Sequence, residues 1–198
     1  MALADYIGKK PVIDTRRLRI RPLRREDVPA LEEWMADKSI YAFWGKGPGK
    51  ADRNPALLFA AAPKPAKSFH LGIEEKAAGK VVGDLWVYRI ENDRMATVAI
   101  RLAPSRHGRG YGTEALAAVT RFCFAHTELR RLQAEVDVRN TASRRMLEKC
   151  GYRREGLIRQ GKMVNAWCDY FIYGILAGDG EPDGEPAGKA VDGGRGEG

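Results

Sequence analysis

The sequence predicts a single mixed α/β (α+β) domain, and three patterns carry that prediction. Residues 68–102 contain three strand-like runs separated by the turn sequences KAAGK and ENDR, which is typical of an antiparallel meander. Residues 132–138 alternate between apolar and polar side chains, as a half-buried strand does. An apolar helical run follows the glycines at 108–112, and a second helical run follows Asn140. Strands in a meander followed by alternating helices and strands predict a mixed sheet with helices packed on it.

The first part of the chain predicts a strand and then a helix. "RLRIRPL" at 17–23 alternates apolar and basic residues, as a short strand does. Asp27 is expected to cap the helix that follows, whose apolar stripe consists of Val28, Leu31, Trp34 and Met35. Residues 37–66 are rich in Gly and Pro and predict a loop, with one helix near "PALLFAAA".

The second part of the chain predicts β-α-β-α-β-β. In the strand at 132–138, we expect Gln133, Glu135 and Asp137 to face outward and the alternate residues Leu132, Ala134, Val136 and Val138 to face inward. Asn140 is the expected cap of the second helix, and Gly151 ends it. Two more strands are expected around 152–158 and 167–176.

Composition excludes several classes of protein. No apolar run approaches the roughly 18 residues of a membrane span, and the N-terminus has no signal-peptide pattern. Three widely spaced cysteines favour free thiols and a cytoplasmic location over a disulfide framework. The three histidines are scattered, so we expect no metal site.

Charge separates the body of the chain from its C-terminus. Residues 177–198 carry six acidic and two basic residues, a net charge of −4. Because the net charge of the whole chain is +8, residues 1–176 carry a net charge of +12. With eight glycines and no aromatic residue, this tail is expected to be disordered. The predicted organisation is an extension at 1–12, the domain at 13–176 and the tail. The basic body is compatible with an anionic cofactor, a nucleic acid or an acidic protein.

The stretch "HGRGYGTEAL" at 107–116 predicts close approach to the main chain at the start of a helix. Helix N-termini attract anions, and Arg106 and Arg109 add positive charge. A phosphate-binding P-loop is excluded because the chain contains no G-x-x-x-x-G-K-[ST] string. "GYGTEA" matches the letters of a dinucleotide motif, but a polar linker separates it from the strand. A tight turn without a ligand stays open on the glycines alone.

Longer context resembles a known family. "LAPSRHGRGYGTEAL" is similar to motif A of the GNAT superfamily of N-acetyltransferases, with Pro104, Gly110 and Gly112 at the family positions. His107 stands where the motif has Gln or Arg. The resemblance implies that the loop holds the pyrophosphate of acetyl-CoA without a metal. The implied loop residues are His107, Gly108, Arg109, Gly110, Tyr111, Gly112 and Thr113.

The resemblance also implies a fold and further cofactor contacts. The family sheet has about 6–7 strands, splays between its fourth and fifth strands and carries about four helices. Ile100, Arg101 and Leu102 correspond to the strand that binds the pantetheine arm. "VRNTASRRMLEKCGY" is similar to the family's second helix, which implies that Asn140 bonds the pantetheine amide. The alternative role for Asn140 is that of a helix cap without a ligand contact. The alternative role for Tyr152 is packing in the core.

Both ends of the domain resemble the branch of RimJ/RimL-type ribosomal-protein-alanine N-acetyltransferases. The implied reaction is direct attack by a neutral amine on the thioester, with the oxyanion held by a strand N–H near Leu102. Leu147 stands where many relatives have a proton-donating tyrosine, and the branch implies Ser143 instead. A role in the helix cap is the alternative for Ser143. No base is evident: Lys162 stands where the branch can carry Glu, and Asp169 is equally suited to a structural role.

Three functions stay open on the sequence. The first is acetylation of a protein N-terminal amine, a ribosomal protein being one such acceptor. The second is acetylation of a small amine such as an aminoglycoside-type antibiotic or a polyamine, and the third is a non-catalytic CoA sensor or RNA-binding module. A cationic antibiotic needs an acidic acceptor site, and few acidic residues are expected there: Glu32, Glu33, Asp37 and Asp52. Trp44 is a candidate wall of that site or a packing residue. The sequence does not predict the oligomeric state.

Overall fold

The computed structural model describes residues 11–44, 48–59, 68–163 and 166–179. Eight strands form one sheet in the order β1-β2-β3-β4-β5-β6-β8-β7. The strands are β1 (Ile13–Asp14), β2 (Leu18–Pro22), β3 (Phe69–Glu75), β4 (Lys80–Glu91), β5 (Met95–Leu102), β6 (Arg131–Asp137), β7 (Arg153–Met163) and β8 (Ala166–Leu176). The α-helices described are α1 (Val28–Met35), α2 (Lys50–Arg53), α3 (Tyr111–His126) and α4 (Thr141–Lys149).

The sheet splits between β5 and β6. These are the only described strands that pair in parallel, and they do so through three residue pairs, from Met95↔Arg131 to Thr97↔Gln133. Beyond Thr97, β5 continues to Leu102 paired with β4 alone, while β6 continues to Asp137 paired with β8. The two strands therefore diverge into a wedge, which confirms the predicted splay.

The predicted mixed, mostly antiparallel sheet with four helices is confirmed, with one strand more than the predicted 6–7. The additional strand is β1, which has two residues and pairs Ile13 with Ile20 of β2. Such a short strand has no periodicity of its own, so the sequence pattern could not reveal it. Its presence also moves the split from strands 4 and 5 to strands β5 and β6, although the two strands are the predicted ones.

Helices cover both faces of the sheet at β5. Ile100 and Leu102 pack against the main core, which contains the buried residues Ala115, Leu116 and Val119 of α3. Arg101 points to the other face, where its guanidinium lies 5.6 Å from the Trp34 ring of α1. Because successive strand residues face opposite ways, α3 and α1 lie on opposite faces of the sheet. The split in the sheet therefore lies between two helical layers.

One local prediction was wrong, and a second is made more specific by the structure. Asp27 precedes α1, but its side chain makes no capping bond to that helix. Its carboxylate instead accepts hydrogen bonds from Arg21, at 2.8 Å on each oxygen, and from the backbone N–H of Arg24 at 2.7 Å. The helix predicted near "PALLFAAA" is a 3-10 helix over Pro55–Phe59, and residues 60–62 lie outside the described residues.

Regular structure in the described residues runs from Ile13 to Leu176. The predicted extension at 1–12 lies outside the description up to residue 10, and the predicted tail lies outside it from residue 180. None of the helices in the described ranges is long and apolar enough to cross a membrane. Cys123 and Cys150 are buried free thiols, and burial raises the pKa of each to about 12.

Candidate active site

A cleft of about 530 Å³ lies beside the end of β5, beyond the residues at which β5 pairs with β6. Its walls come from the end of β5, the glycine loop, the start of α4 and the segment before α2. The predicted residues that line it are Ile100, Arg101, Leu102, His107, Gly108, Gly110, Tyr111, Gly112, Thr113, Asn140 and Ser143. Residues distant in sequence are thus brought together around one cleft.

The glycine loop presents main-chain N–H groups to this cleft. Gly110 begins α3 with a φ of +79°, a left-handed conformation that glycine adopts without strain. The first main-chain bond of α3 runs from the N–H of Glu114 to the carbonyl of Gly110, at 3.0 Å. The N–H groups of 111–113 therefore precede the helical ladder and can bind an anion.

Gly112 is small for a second reason. A Cβ there would lie 2.8 Å from Sδ of Met146, so a larger residue would have to displace the Met146 side chain. Met146 lines the same cleft. Gly112 therefore leaves room for this side chain on the wall of the cleft, beyond the access to the backbone that the motif implies.

The loop is held from outside by the turn between β1 and β2. Glu114 accepts hydrogen bonds from the Thr15 hydroxyl at 2.6 Å and from the backbone N–H and Nε of Arg17 at 2.9 and 2.6 Å. Burial raises the pKa of Glu114, but these hydrogen bonds outweigh it and hold the pKa below its usual value. Arg17 also donates to the carbonyl of Arg109 at 2.8 Å. The N-terminal strands thus fix the loop in place.

A second brace joins the loop to β3. The Tyr111 hydroxyl donates to Glu75 at 2.6 Å, and Nε of Arg106 donates to the other oxygen of Glu75 at 2.8 Å. The hydrogen bond to Glu75 and then burial raise the pKa of Tyr111. Arg106 lines the cleft, but part of its charge is balanced by Glu75.

Two cations that sequence reasoning missed line the cleft. Arg145 and Lys149 lie four residues apart on α4, which places them on one face of the helix. That spacing, next to the predicted Asn140, was the available signal. Arg109 is the one predicted loop residue that does not line the cleft, although its carbonyl anchors Arg17. The loop therefore faces three cationic side chains: Arg106, Arg145 and Lys149.

His107 closes the loop against β5. Its Nε2 lies 3.0 Å from the carbonyl oxygen of Leu102, within hydrogen-bond distance. Beyond Thr97, the β6 side of β5 has no strand partner in the described chain. The end of β5 therefore offers main-chain groups to a ligand in the cleft.

Arg101 is buried on the α1 side of β5. It donates to Asp84 at 3.0 and 2.7 Å and to Asp52 at 2.7 Å. The rings of Trp34, Tyr41, Trp44 and Trp86 surround its guanidinium, at 4.7 to 5.7 Å. Asp52, which sequence reasoning placed at the acceptor end, is therefore paired with Arg101 and fastens α2 to the sheet.

The start of α4 carries the two remaining predicted residues. Asn140 accepts a hydrogen bond from the backbone N–H of Ser143 at 3.1 Å, as a helix cap does. Leu147 is buried in the core, and Tyr152 is 2% exposed with its hydroxyl 2.9 Å from that of Thr120. Tyr152 therefore packs, while Asn140 and Ser143 face the cleft.

A second, smaller cavity of about 90 Å³ lies in the wedge between β5 and β6. It shares six residues with the cleft, so the two spaces adjoin: Phe43, Trp44, Ile100, Asn140, Ser143 and Met146. Its other lining residues include Tyr88, Glu135, Asp137 and Met163. Trp44 thus lines both spaces, and Lys162 and Asp169 line neither.

Glu135 and Asp137 differ from the prediction that they face outward. Asp137 is 3% exposed, and Arg139 binds both of its oxygens, at 2.8 and 2.6 Å. Hydrogen bonds from Arg139 outweigh burial and hold the pKa of Asp137 below its usual value. The prediction was wrong because β6 borders a wedge rather than open solvent. Asp169 accepts from the backbone N–H of Gln160 at 2.8 Å, which is a structural contact within the β7–β8 hairpin.

No group of His, Cys, Asp and Glu that could hold a metal ion occurs among the described residues. The cleft instead combines main-chain N–H groups, cations and an open strand edge. This donor set suits a long anionic ligand with amide groups along its length.

Comparisons with known proteins agree with this arrangement. A family model described as an acetyltransferase (GNAT) domain matches residues 17–153. The probable N-acetyltransferase YjcK of Bacillus subtilis is 31% identical over 118 residues, which are 58% of this chain and 65% of the relative.

Solved structures share the fold. RimJ of Mycobacterium smegmatis, solved with CoA-disulfide, superimposes with a TM-score of 0.72 at 26% identity, over 84% of this chain and 86% of that one. Spermidine N-acetyltransferase of Vibrio cholerae, solved with CoA and spermine, has a TM-score of 0.71 at 20% identity, over 83% of this chain and 98% of that one. Since the family model spans the strand pair that splits, the glycine loop and the helix that faces it, the chain belongs to the GNAT family of acetyltransferases.

Proposed function

We propose that this protein transfers the acetyl group of acetyl-CoA to a primary amine, and that the amine is a protein N-terminus of the ribosomal-protein-alanine type. One observation carries the proposal: the glycine loop at the start of α3 lines the cleft beside the end of β5, and this cleft adjoins the cavity in the wedge between β5 and β6. That geometry can hold a pyrophosphate at the helix and extend the thioester arm along β5 toward the second cavity. The fold similarity to RimJ of Mycobacterium smegmatis supports the choice of acceptor.

Each part of the cleft has a role in the proposed binding. The N–H groups of 111–113 and the cations Arg145 and Lys149 bind the phosphates of acetyl-CoA. The main chain of 100–102 and the side chain of Asn140 bind the pantetheine amides. A main-chain edge without a strand partner in the described chain is suited to bind such amides, because its N–H and carbonyl groups are available for hydrogen bonds.

The proposed chemistry takes place where the cleft meets the second cavity. A neutral amine attacks the thioester carbonyl, and the backbone N–H near Leu102 stabilises the oxyanion. The carbon–sulfur bond then breaks, and Ser143 donates a proton to the departing thiolate. The attacking nitrogen loses a proton to solvent water, and Ser143 regains a proton from the same solvent. Ser143 suits this role because it lines both spaces.

A small cationic amine is the second candidate acceptor. The observation that favours it is the second cavity, whose wall contains the carboxylates of Glu135 and Asp137 and the rings of Phe43, Trp44 and Tyr88. Carboxylates and aromatic faces both attract an ammonium group. A polyamine or an aminoglycoside presents several such groups.

Release of free thiol from acetyl-CoA tests the proposal. The purified protein is incubated with acetyl-CoA and, separately, an alanine-terminated peptide, spermidine and an aminoglycoside. We expect thiol release above the rate of spontaneous hydrolysis with the peptide, and mass spectrometry should find one acetyl group on its N-terminus. Release with spermidine or the aminoglycoside alone would establish the second candidate. No release with any amine, although acetyl-CoA binds, would contradict enzymatic transfer.

A further inference from the structure

Glu135 lies on β6 where this strand has separated from β5, and only one of its two carboxylate oxygens accepts a hydrogen bond in the described structure. Oε1 accepts a hydrogen bond from Nη1 of Arg89 at 2.5 Å. Oε2 is buried and has no hydrogen-bond partner within the described ranges. A buried carboxylate oxygen without a donor is costly, and such groups in native proteins call for a ligand or another explanation.

The surroundings of Glu135 indicate what kind of donor would satisfy it. Glu135 lines the second cavity together with the rings of Phe43, Trp44 and Tyr88. Aromatic faces attract cations, and a carboxylate adds the opposite charge. The space of about 90 Å³ admits a small group such as an alkylammonium but not a folded chain. The ligand chemistry that fits is therefore a primary amine or ammonium.

Arg89 reaches Glu135 because β4 is irregular at that point. The register of β4 against β5 shifts between Tyr88 and Glu91, and Arg89 has a φ of +49°. A non-glycine residue in this conformation is strained, and bulges of this kind re-aim side chains. Arg89 is half exposed while Glu135 is 12% exposed. The Arg89 guanidinium thus covers the outer side of the Glu135 carboxylate and leaves Oε2 without a hydrogen-bond donor.

We infer that Glu135 binds the amine of the acceptor, with Oε2 accepting a hydrogen bond from its N–H in the second cavity. This inference rests on the proposed function. An amine in that cavity adjoins Ile100, Asn140 and Ser143, which line both spaces. Asp137 cannot take the same role because Arg139 occupies both of its oxygens. Glu135 is therefore an acceptor-binding residue and sets a preference for cationic acceptors.

Steady-state kinetics of Glu135→Gln test the inference, with whichever of an alanine-terminated peptide, spermidine and n-propylamine the wild-type protein acetylates best. Glutamine keeps the shape and one hydrogen-bond acceptor but removes the charge. We expect the KM for the amine to rise roughly tenfold, as the loss of one charge-assisted hydrogen bond predicts. The Kd of acetyl-CoA, measured by calorimetry, should stay as in the wild type, because Glu135 does not line the larger cleft.

Two further variants separate recognition of the amine from structural effects. Glu155→Gln removes a comparable carboxylate that pairs with Arg131 at 2.5 Å and lines neither space, so it should leave the KM unchanged. Arg89→Gln removes the ion pair but keeps the carboxylate, so its KM should be no higher than that of the wild type. Thermal melting of each variant verifies that it is folded.

The outcomes discriminate between the two claims. An amine KM in Glu135→Gln within twofold of wild type would overturn the inference and leave the proposed function standing. An equal rise in Arg89→Gln would also overturn it, because the ion pair rather than the carboxylate would then matter. Failure of the wild type to acetylate any of the three amines would contradict the proposed function itself.

Discussion

At the scale of single residues, Ser143 illustrates how a side chain and its backbone can have separate tasks. Its backbone N–H bonds the Asn140 side chain and completes the start of α4. That bond survives replacement by alanine, because alanine has the same N–H. The hydroxyl is therefore not required for the cap, and its position on the wall of both cavities can be tested separately.

Ser143→Ala is expected to lower kcat by about 10², the lower end of general-acid effects, because a CoA thiolate is a tolerable leaving group. The Kd of acetyl-CoA and the melting temperature should stay close to wild type. Ser143→Cys restores a proton donor and should recover part of the rate. Thr141→Ala, which removes an exposed hydroxyl of the same helix, is the matched control. A wild-type kcat in Ser143→Ala, with chemistry rate-limiting, would remove this residue from the mechanism.

Residue-level features were predictable where a side chain acts on its own neighbours. Asn140 three residues before Ser143 is a local capping pattern, and the structure contains that bond. Glu135 is different, because its environment depends on the bulge in β4 that carries Arg89, a residue 46 positions away. Alternation along β6 indicates only that Glu135 and Asp137 leave the main core, not that a wedge covers them.

At the scale of elements, α1 is tied to β2 through a buried ion pair. Arg21 and Asp27 are 5% and 7% exposed, and the guanidinium also bonds Glu74 of β3 at 2.5 Å. Burial raises the pKa of Asp27, but the hydrogen bonds from Arg21 and from the backbone of Arg24 outweigh it, so the pKa lies below its usual value. The pair thus holds α1 on the face of the sheet where Arg101 lies.

Asp27→Asn should lower the free energy of unfolding by about 3 kcal/mol at pH 7, because it leaves Arg21 buried without its full counter-charge. In the wild type, the pKa of Asp27 is lower in the folded protein than in the unfolded chain, so the unfolded chain binds the proton more tightly. The contribution of the Asp27 carboxylate to stability is therefore complete above pH ~4, and it is lost as the pH falls through the pKa of Asp27 in the folded protein.

Urea unfolding of both proteins at pH 7 and at decreasing pH below 4 measures this. The difference between wild type and Asp27→Asn should shrink as the pH falls. Asp14→Asn, which breaks the more exposed pairs with Arg19 and Lys76, is the control and should cost less than about 1 kcal/mol. A difference between wild type and Asp27→Asn that is independent of pH would contradict the role of the ionised carboxylate.

Local sequence patterns were sufficient to predict whether a segment is a helix or a strand. They were not sufficient to predict the contacts at the ends of these elements. The helix at 28–35 was predicted from its apolar stripe, of which Leu31, Trp34 and Met35 are buried. Its start could not be predicted from Asp27 alone, because Arg21 on another element competes for the carboxylate. A long-range ion pair outweighs the local cap, and only tertiary structure reveals the partner.

At the scale of the whole molecule, the last hydrogen bonds described for the chain lie just after β8. The backbone N–H of Leu176 donates to the Asp179 side chain at 2.9 Å, and the N–H of Ala177 donates to the carbonyl of Arg130 at 3.0 Å. The residues beyond Asp179 are rich in glycine and acidic residues, and their composition provides little apolar surface to bury.

Deletion of residues 180–198 should therefore leave the melting temperature and the Kd of acetyl-CoA unchanged. Deletion of residues 177–198 is the matched comparison and should lower the melting temperature, because it also removes the contacts of Ala177 and Asp179. Differential scanning fluorimetry of the two truncated proteins and the full chain measures both effects. A drop of several degrees with the shorter deletion would show that the tail packs on the domain.

The overall architecture could be predicted because its signals are long and periodic. The meander at 68–102 and the strand–helix order after it imply the mixed sheet, and the glycine motif locates the cleft. Strand β1 was not predicted, because a strand of two residues is too short to show an alternation of apolar and polar side chains. The bracing of the loop by Thr15, Arg17 and Glu75 also escaped prediction, because it joins residues more than 30 positions apart.

Binding of acetyl-CoA to Gly110→Asp, measured by isothermal titration calorimetry, tests the central claim most directly. The substitution places a carboxylate at the helix N-terminus beside the proposed pyrophosphate site, with its Cβ 3.3 Å from Nη2 of Arg17. It also puts a side chain at a φ of +79°, which glycine alone adopts without strain. Gly79→Asp is the matched control, since Gly79 also has a positive φ, of +61°, but lies in the β3–β4 turn away from the cleft. The account predicts that Gly110→Asp abolishes binding while circular dichroism remains that of a folded protein, and that Gly79→Asp binds as the wild type does. Undiminished binding by Gly110→Asp would contradict the assignment of the loop.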